Sequence, residues 1–169
     1  AAIYVSVHSF VSEPYNDLNQ ICSQSPTKSP DSTNTDVIFF MGTGSVKPGL
    51  KLAIKSLRST GCQAKLVLIT DIDFNPSMED GSFLRQNDVT LYRRVTKPEN
   101  KTIIPHMIRY QYEHEWLTNH TSTTRLFHSD AYDVFFQKDP FSASAVSKEK
   151  LTFVVEPHPI RSCEQNQNW

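Results

Sequence analysis

The chain predicts an α/β fold, a mainly parallel Rossmann-like sheet flanked by helices. Three observations carry this. Continuous apolar runs at 37–41, 64–70 and 125–128 have the length and composition of strands buried on both faces. Amphipathic helical periodicities stand between such runs, which makes βαβ units with right-handed crossovers. Glycines or carboxylates follow the runs directly, where ligands of such sheets bind.

Residues 1–10 alternate apolar and polar around Ile3, Val5 and Val7, the pattern of a strand. Residues 11–36 are rich in Ser, Thr, Pro, Asn and Asp, most densely in SQSPTKSPDSTNTD, a composition that does not pack a core. The division expected is a segment and linker over 1–35 and a folded domain over 36–169. The run VIFFM ends in Gly42-Thr43-Gly44, a tight strand-to-helix turn. The next helix carries Leu50, Ala53, Ile54 and Leu57 on one face, with Lys51, Lys55 and Arg58 on the wet face. Ser45 is its expected N-cap, Pro48 falls in its first turn and Gly61 stops it. AKLVLIT is the second strand, ending at Asp71, and VTLYR at 89–93 the third, reached through a helical link. A long helix over 103–119 repeats Ile104, Ile108, Tyr112 and Trp116 at i+4 steps, with Pro105 in its first turn. RLFH is the fourth strand and LTFVV at 151–155 the fifth, ending at Glu156.

Length and charge set limits. At 169 residues, 38% of them hydrophobic, the chain makes one domain of ordinary size with a core, and a net charge of −1 with a pI of about 6.7 argues against a nucleic-acid binder. Mean hydropathy of −0.43 marks loop-rich stretches, and no apolar run reaches membrane-spanning length. Cys22, Cys62 and Cys163 are far apart and form no C-x-x-C, so a zinc ribbon is not expected. His114-Glu115 with His120 gives HE-x4-H, whose helical faces do not match a zinc site; His106 and His128 read as satisfied core or surface residues. Two sequons, Asn100-Lys101-Thr102 and Asn119-His120-Thr121, fall at expected loops and lean towards a secretory-pathway lumen.

The chemistry concentrates in RLFHSDAYDVFFQKDPF, 125–141. Asp130 and Asp133 follow a buried strand, and two carboxylates so placed repel unless a hard cation shares them. A second apolar run, Val134 to Phe136, leads into Asp139-Pro140-Phe141. This segment resembles the metal-binding Asp motif of GT-A glycosyltransferases, in which an apolar strand, D-x-D, an apolar strand and D-P-Φ hold the metal and diphosphate of a nucleotide-sugar. A strict D-x-D would put its first acid at Ala131. Asp130 lies one residue earlier, so the two acids converge only across a backbone bulge, and Asp133 is the ligand the spacing supports directly.

The resemblance covers roughly 36–169 and implies the nucleotide-sugar-binding half of a GT-A-like domain, incomplete at its C-terminus. It implies transfer of a sugar from a nucleoside diphosphate to a hydroxyl of a glycan, protein or lipid acceptor, with Mn²⁺ or Mg²⁺ at Asp130 and Asp133 and a Golgi or other secretory lumen as the setting. By the same resemblance Gly42, Thr43 and Gly44 cover the nucleotide, Asp71 accepts from base or ribose, and Arg109 neutralises the diphosphate, with Arg94 and Lys101 as further basic candidates. The catalytic base is not assigned. Two alternatives stand beside this. One is a non-catalytic nucleotide-binding fragment. The other is a phosphatase using Asp71, because LVLITDIDFN resembles the nucleophile motif of haloacid-dehalogenase-like enzymes through Asp71 and Asp73; Asn75 occupies that motif's fifth place, where Thr or Val is expected.

Overall fold

The computed structural model describes residues 2–4, 31–95, 105–142 and 152–153, with the side chains of 31–95 and 108–142. Its elements are β1 (Ala2–Tyr4), β2 (Val37–Met41), α1 (Pro48–Ser59), β3 (Lys65–Asp71), α2 (Met78–Gln86), β4 (Val89–Val95), α3 (Pro105–Thr118), β5 (Leu126–His128) and β6 (Thr152–Phe153). The strands form one sheet in the order β4-β3-β2-β5-β1-β6, and every pairing is parallel. The mainly parallel α/β architecture expected from the sequence is therefore what the chain adopts.

Strand alternation sorts the core into two halves. Ile38, Phe40, Leu66 and Leu68 face α1 and α2, packing on Leu50, Ala53, Ile54, Leu57 and Leu84. Val37, Phe39, Val67 and Ile69 face α3, where Tyr112 and Trp116 cover them, Trp116 standing edge-on to Phe39 at 5.3 Å. The chain winds outward through β2, β3 and β4 with α1 and α2 on one face. It then returns through α3, on the opposite face, to β5 on the other side of β2. Reversing direction while keeping right-handed crossovers requires that change of face. The junction of β2 and β5 is thus a topological switch point, where the carboxyl ends of neighbouring strands diverge and leave a crevice.

Several expectations need correction. The sheet includes β1, between β5 and β6, so residues before 36 belong to the domain. The segment ahead of β2 is packed too: Ser32 and Asp36 are buried, although nothing in their polar composition announces it. Lys47 rather than Ser45 holds the N-cap position of α1, without a side-chain cap, because Pro48 starts the helix two residues later than a Ser45 cap would require. Arg58 is not on a wet face. Its guanidinium donates to the carbonyls of Cys62, Ala64 and Asn87 at 2.9–3.0 Å and ties the end of α1 to the loops beside it. Val134–Phe136 is not a strand but a loop seated on α1, with the Phe136 amide donating to Ser56 Oγ at 3.1 Å. Residues 11–30, Lys101, Cys22, Cys163, His106, the Asn100 sequon and Glu156 lie outside the described side chains.

The polar segment before β2 packs because of one buried ion pair. Arg125, at the entrance to β5, grips Asp36, at the entrance to β2, through Nε to Oδ1 at 2.8 Å and Nη2 to Oδ2 at 2.6 Å. The same guanidinium donates to the carbonyls of Asp31 and Phe141 and lies 4.8 Å from the Phe141 ring centroid. Asp36 also accepts from Thr33 and Thr124. Burial pushes the Asp36 carboxyl up, but the Arg125, Thr33 and Thr124 hydrogen bonds and the Arg125 charge outweigh burial, and its pKa falls below the ordinary aspartate value. A carboxyl whose folded-state pKa is lowered stabilises the fold above the unfolded-state pKa. That contribution fades as pH falls towards the folded-state value. Asp36→Ala leaves a buried guanidinium without its counter-charge and should cost about 3–5 kcal/mol in urea unfolding. A stability plateau above the aspartate range with a decline below it, blunted in Asp36→Ala, is the expected pH profile.

Candidate functional site

The crevice at the β2–β5 switch point is built by two loops and a helix. The first, after β2, is Gly42-Thr43-Gly44. Gly44 sits at φ 77°, a conformation that L side chains rarely adopt, which turns its amide towards β3. There the amide donates to Asp71 Oδ2 at 2.5 Å. Asp71 ends β3 and is mostly buried, so the charge of this strand-end acid holds the glycine loop in shape. Asp73, two residues on, is exposed.

The second loop is 129–142, after β5. Tyr132 lies between Asp130 and Asp133 and reaches back to the first loop, its hydroxyl donating to the Thr43 carbonyl at 3.3 Å. Burial, with the nearby Asp71 charge, raises its pKa. Lys47 stands 5.0 Å from its ring centroid. Two glycines make room for this residue. A Cβ at Gly42 would lie 2.8 Å from the Tyr132 hydroxyl, and one at Gly49, in the first turn of α1, would lie 2.0 Å from the Tyr132 carbonyl oxygen. The turn bearing both acids therefore rests directly on the α1 backbone. Phe127 and Phe141 are buried in the core, and half-buried Tyr132 packs against it while its hydroxyl reaches the glycine loop. Gly49 carried no signal in isolation, since a glycine in a helix's first turn needs a contact to explain it.

The third element is α3. Arg109 Nη1 donates to Asp130 Oδ1 at 2.8 Å and contacts His128 Nε2 at 2.9 Å. His128 Nδ1 pairs with the buried carboxyl of Glu113, one helical turn further along. The Tyr110 ring covers His128, with centroids 5.4 Å apart. Arg109 and Asp130 are brought together. Arg94 is not: it lies on the edge strand β4, with β3 and β2 between it and β5, and its Nε donates to the Tyr92 hydroxyl. Glu113 was missed, because a glutamate on a helix ordinarily faces water and only the packing of α3 against β5 buries it.

The last acid of the segment has a different task. Asp139 is buried and accepts from the Ser32 amide at 2.8 Å and the Phe141 amide at 3.0 Å, closing the loop's end and docking the segment ahead of β2.

A divalent cation can be judged against this donor set. Among the described residues no three or more His, Cys, Asp or Glu side chains gather as a metal cluster. A cation bridging a diphosphate needs fewer protein ligands, one or two carboxylates with phosphate oxygens and water completing the shell. Asp133 is exposed and the Asp130 side chain is 43% exposed, so both hard-oxygen donors are accessible on one turn. That chemistry fits Mg²⁺ or Mn²⁺. His114 is exposed and His120 stacks on Trp116 at 3.7 Å, so neither joins a zinc site.

Fold and site together define a parallel α/β domain with a polar crevice at its switch point. No family model matches the sequence, no curated protein matches it, and no solved structure matches it. The functional reading rests on the residues themselves.

Gly49→Ala is the sharpest test of the site's architecture. At an ordinary helical position alanine stabilises by about 1 kcal/mol over glycine. Here the added methyl meets the Tyr132 carbonyl, so the sign should invert to a loss of about 1–3 kcal/mol in chemical unfolding. Resonances of Asp130 to Asp133 should shift in parallel.

Proposed function

We propose that the chain is the nucleotide-sugar-binding half of a GT-A-like glycosyltransferase, serving transfer of a sugar from a nucleoside diphosphate to an acceptor hydroxyl. One observation carries this reading above the others: Gly44 with Asp71, Tyr132, and Asp130 with Arg109 converge at the carboxyl ends of β2, β3 and β5. Asp130 and Asp133 hold the divalent cation. When bound there, Mn²⁺ or Mg²⁺ supplies Lewis-acid neutralisation of the diphosphate. The Gly42–Gly44 backbone lies against the nucleotide, its shape fixed by Asp71, and Arg109 adds positive charge where the leaving diphosphate develops negative charge. Tyr132 keeps the metal turn and the glycine loop in one register.

The phosphatase alternative asks Asp71 to act as a nucleophile. Its Oδ2 is committed to the Gly44 amide and the residue is mostly buried, which favours a supporting role. A secretory lumen suits the exposed Asn119 sequon at the end of α3, while no described helix is long and apolar enough to cross a membrane.

Calorimetry with UDP and GDP, with and without MnCl₂, tests the proposal. Mn²⁺ should strengthen nucleotide binding, Asp133→Ala should abolish that gain and Asp130→Ala should weaken it. A silent Asp133→Ala together with phosphatase turnover that disappears in Asp71→Asn would transfer the assignment to the dehalogenase-like reading. Turnover of a nucleotide-sugar separates an enzyme from a binding fragment.

A second expectation concerns modification. Expressed behind a signal peptide, the chain should carry a glycan at Asn119, seen as a mobility shift removed by Asn119→Gln and by endoglycosidase.

A further inference from the structure

Four side chains run in line from the core to the crevice: Glu113, His128, Arg109 and Asp130. Glu113 and His128 are buried, with side chains 6% exposed each; Arg109 is 13% exposed and Asp130 43%. The line can be read atom by atom. An arginine Nη1 only donates, so its 2.9 Å contact makes His128 Nε2 an acceptor that carries no proton. The imidazole proton then sits on Nδ1 and is donated to Glu113 Oε1. Nη1 has two hydrogens, and the second goes to Asp130 Oδ1 at 2.8 Å. Each member fixes the next.

We propose that Glu113 is a positioning residue for the cation–diphosphate site. By accepting the Nδ1 proton it holds His128 in the tautomer whose Nε2 anchors Arg109, and so holds the guanidinium at Asp130. This rests on the function proposed above only in what Arg109 serves; the anchoring itself follows from the hydrogen bonds. Without an acceptor at 113, the imidazole proton is released to move to Nε2. Two donors, Nε2–H and Nη1–H, then face each other, and Arg109 loses its anchor. The Tyr110 ring lies against the imidazole, with centroids 5.4 Å apart.

Two measurements on the full chain test the proposal. The first needs no nucleotide. Long-range ¹H–¹⁵N spectra should show His128 protonated at Nδ1 and bare at Nε2 in the parent and in Glu113→Gln, whose Oε1 still accepts, and should show the proton moved to Nε2 in Glu113→Leu. An Nε2-protonated, Nδ1-bare parent overturns the proposal, and so does a Glu113→Leu protein that keeps the parent tautomer. If Glu113→Leu does not fold, the parent and Glu113→Gln spectra decide.

The second measurement is UDP binding in MnCl₂. Glu113→Leu should weaken it by roughly tenfold, the scale of losing a partner behind a metal site. Glu113→Gln should restore most of that. In an Arg109→Ala background Glu113→Leu should have no further effect, because its route to the site is gone. An equal loss in both backgrounds means Glu113 acts through the fold in general and overturns the positioning role. A parent that binds neither UDP nor GDP with Mn²⁺ sinks the proposed function, while the tautomer spectra still decide the anchoring.

Discussion

The structure depends on a charge pair buried between the entrances of two neighbouring strands. Asp36 and Arg125 are 89 positions apart, and their bidentate contact sets β5 beside β2. Burying two ions is expensive, and the expense is offset here because every strong direction of both groups is used: Arg125 also serves the carbonyls of Asp31 and Phe141, and Asp36 also receives Thr33 and Thr124. Such a pair stabilises less than an apolar contact of equal size, but it tolerates only one partner geometry. The crevice follows from it. Were β5 set elsewhere, Tyr132 would not meet the Gly42–Gly44 loop.

The crevice itself is held by close approach as well as charge. Tyr132 ties three elements: its carbonyl lies on the α1 backbone at Gly49, its hydroxyl reaches the loop after β2, and its neighbours are the two acids. Backbone against backbone is stiff, because no side chain is present to yield. Asp71 stiffens the facing wall through Gly44. Arg109 closes the third side from α3, itself backed by a buried imidazole and carboxyl. A site that must receive a multiply charged ligand gains from groups already held in place before it arrives.

Much of this was legible in the sequence. Apolar runs such as VIFFM and LVLIT are unmistakable because strands covered on both faces have no polar alternation, and the 3.6-residue repeat of Leu50, Ala53, Ile54 and Leu57 leaves little choice for α1. Asp71 and Asp130 could be placed at strand ends from the sequence alone, because each directly follows an apolar run. The failures share a cause. Ser32, Asp36, Glu113 and Asp139 are polar residues made interior by partners far along the chain, and one-dimensional patterning assigns such residues to water. Arg58 and Arg94 were misread for the same reason, since a cation's partner is set by tertiary geometry. α2 was expected only as a link, because Met78, Phe83 and Leu84 are too sparse to mark its apolar face.

Cys62 gives the docking of the segment ahead of β2 a built-in observer. The thiol is buried, and burial pushes its pKa up to about 11, so very little reactive thiolate exists at neutral pH. It lies by Ser32, whose amide is held by Asp139 and whose hydroxyl receives the Gln63 amide. Reagents for free thiols therefore meet Cys62 only when that polar lid lifts from the end of α1. In a protein whose segments at 31–36 and 139–142 are fastened by the Asp36–Arg125 ion pair, by hydrogen bonds and by buried Phe141, the speed of labelling at one sulfur becomes a clock for how often the fastening opens.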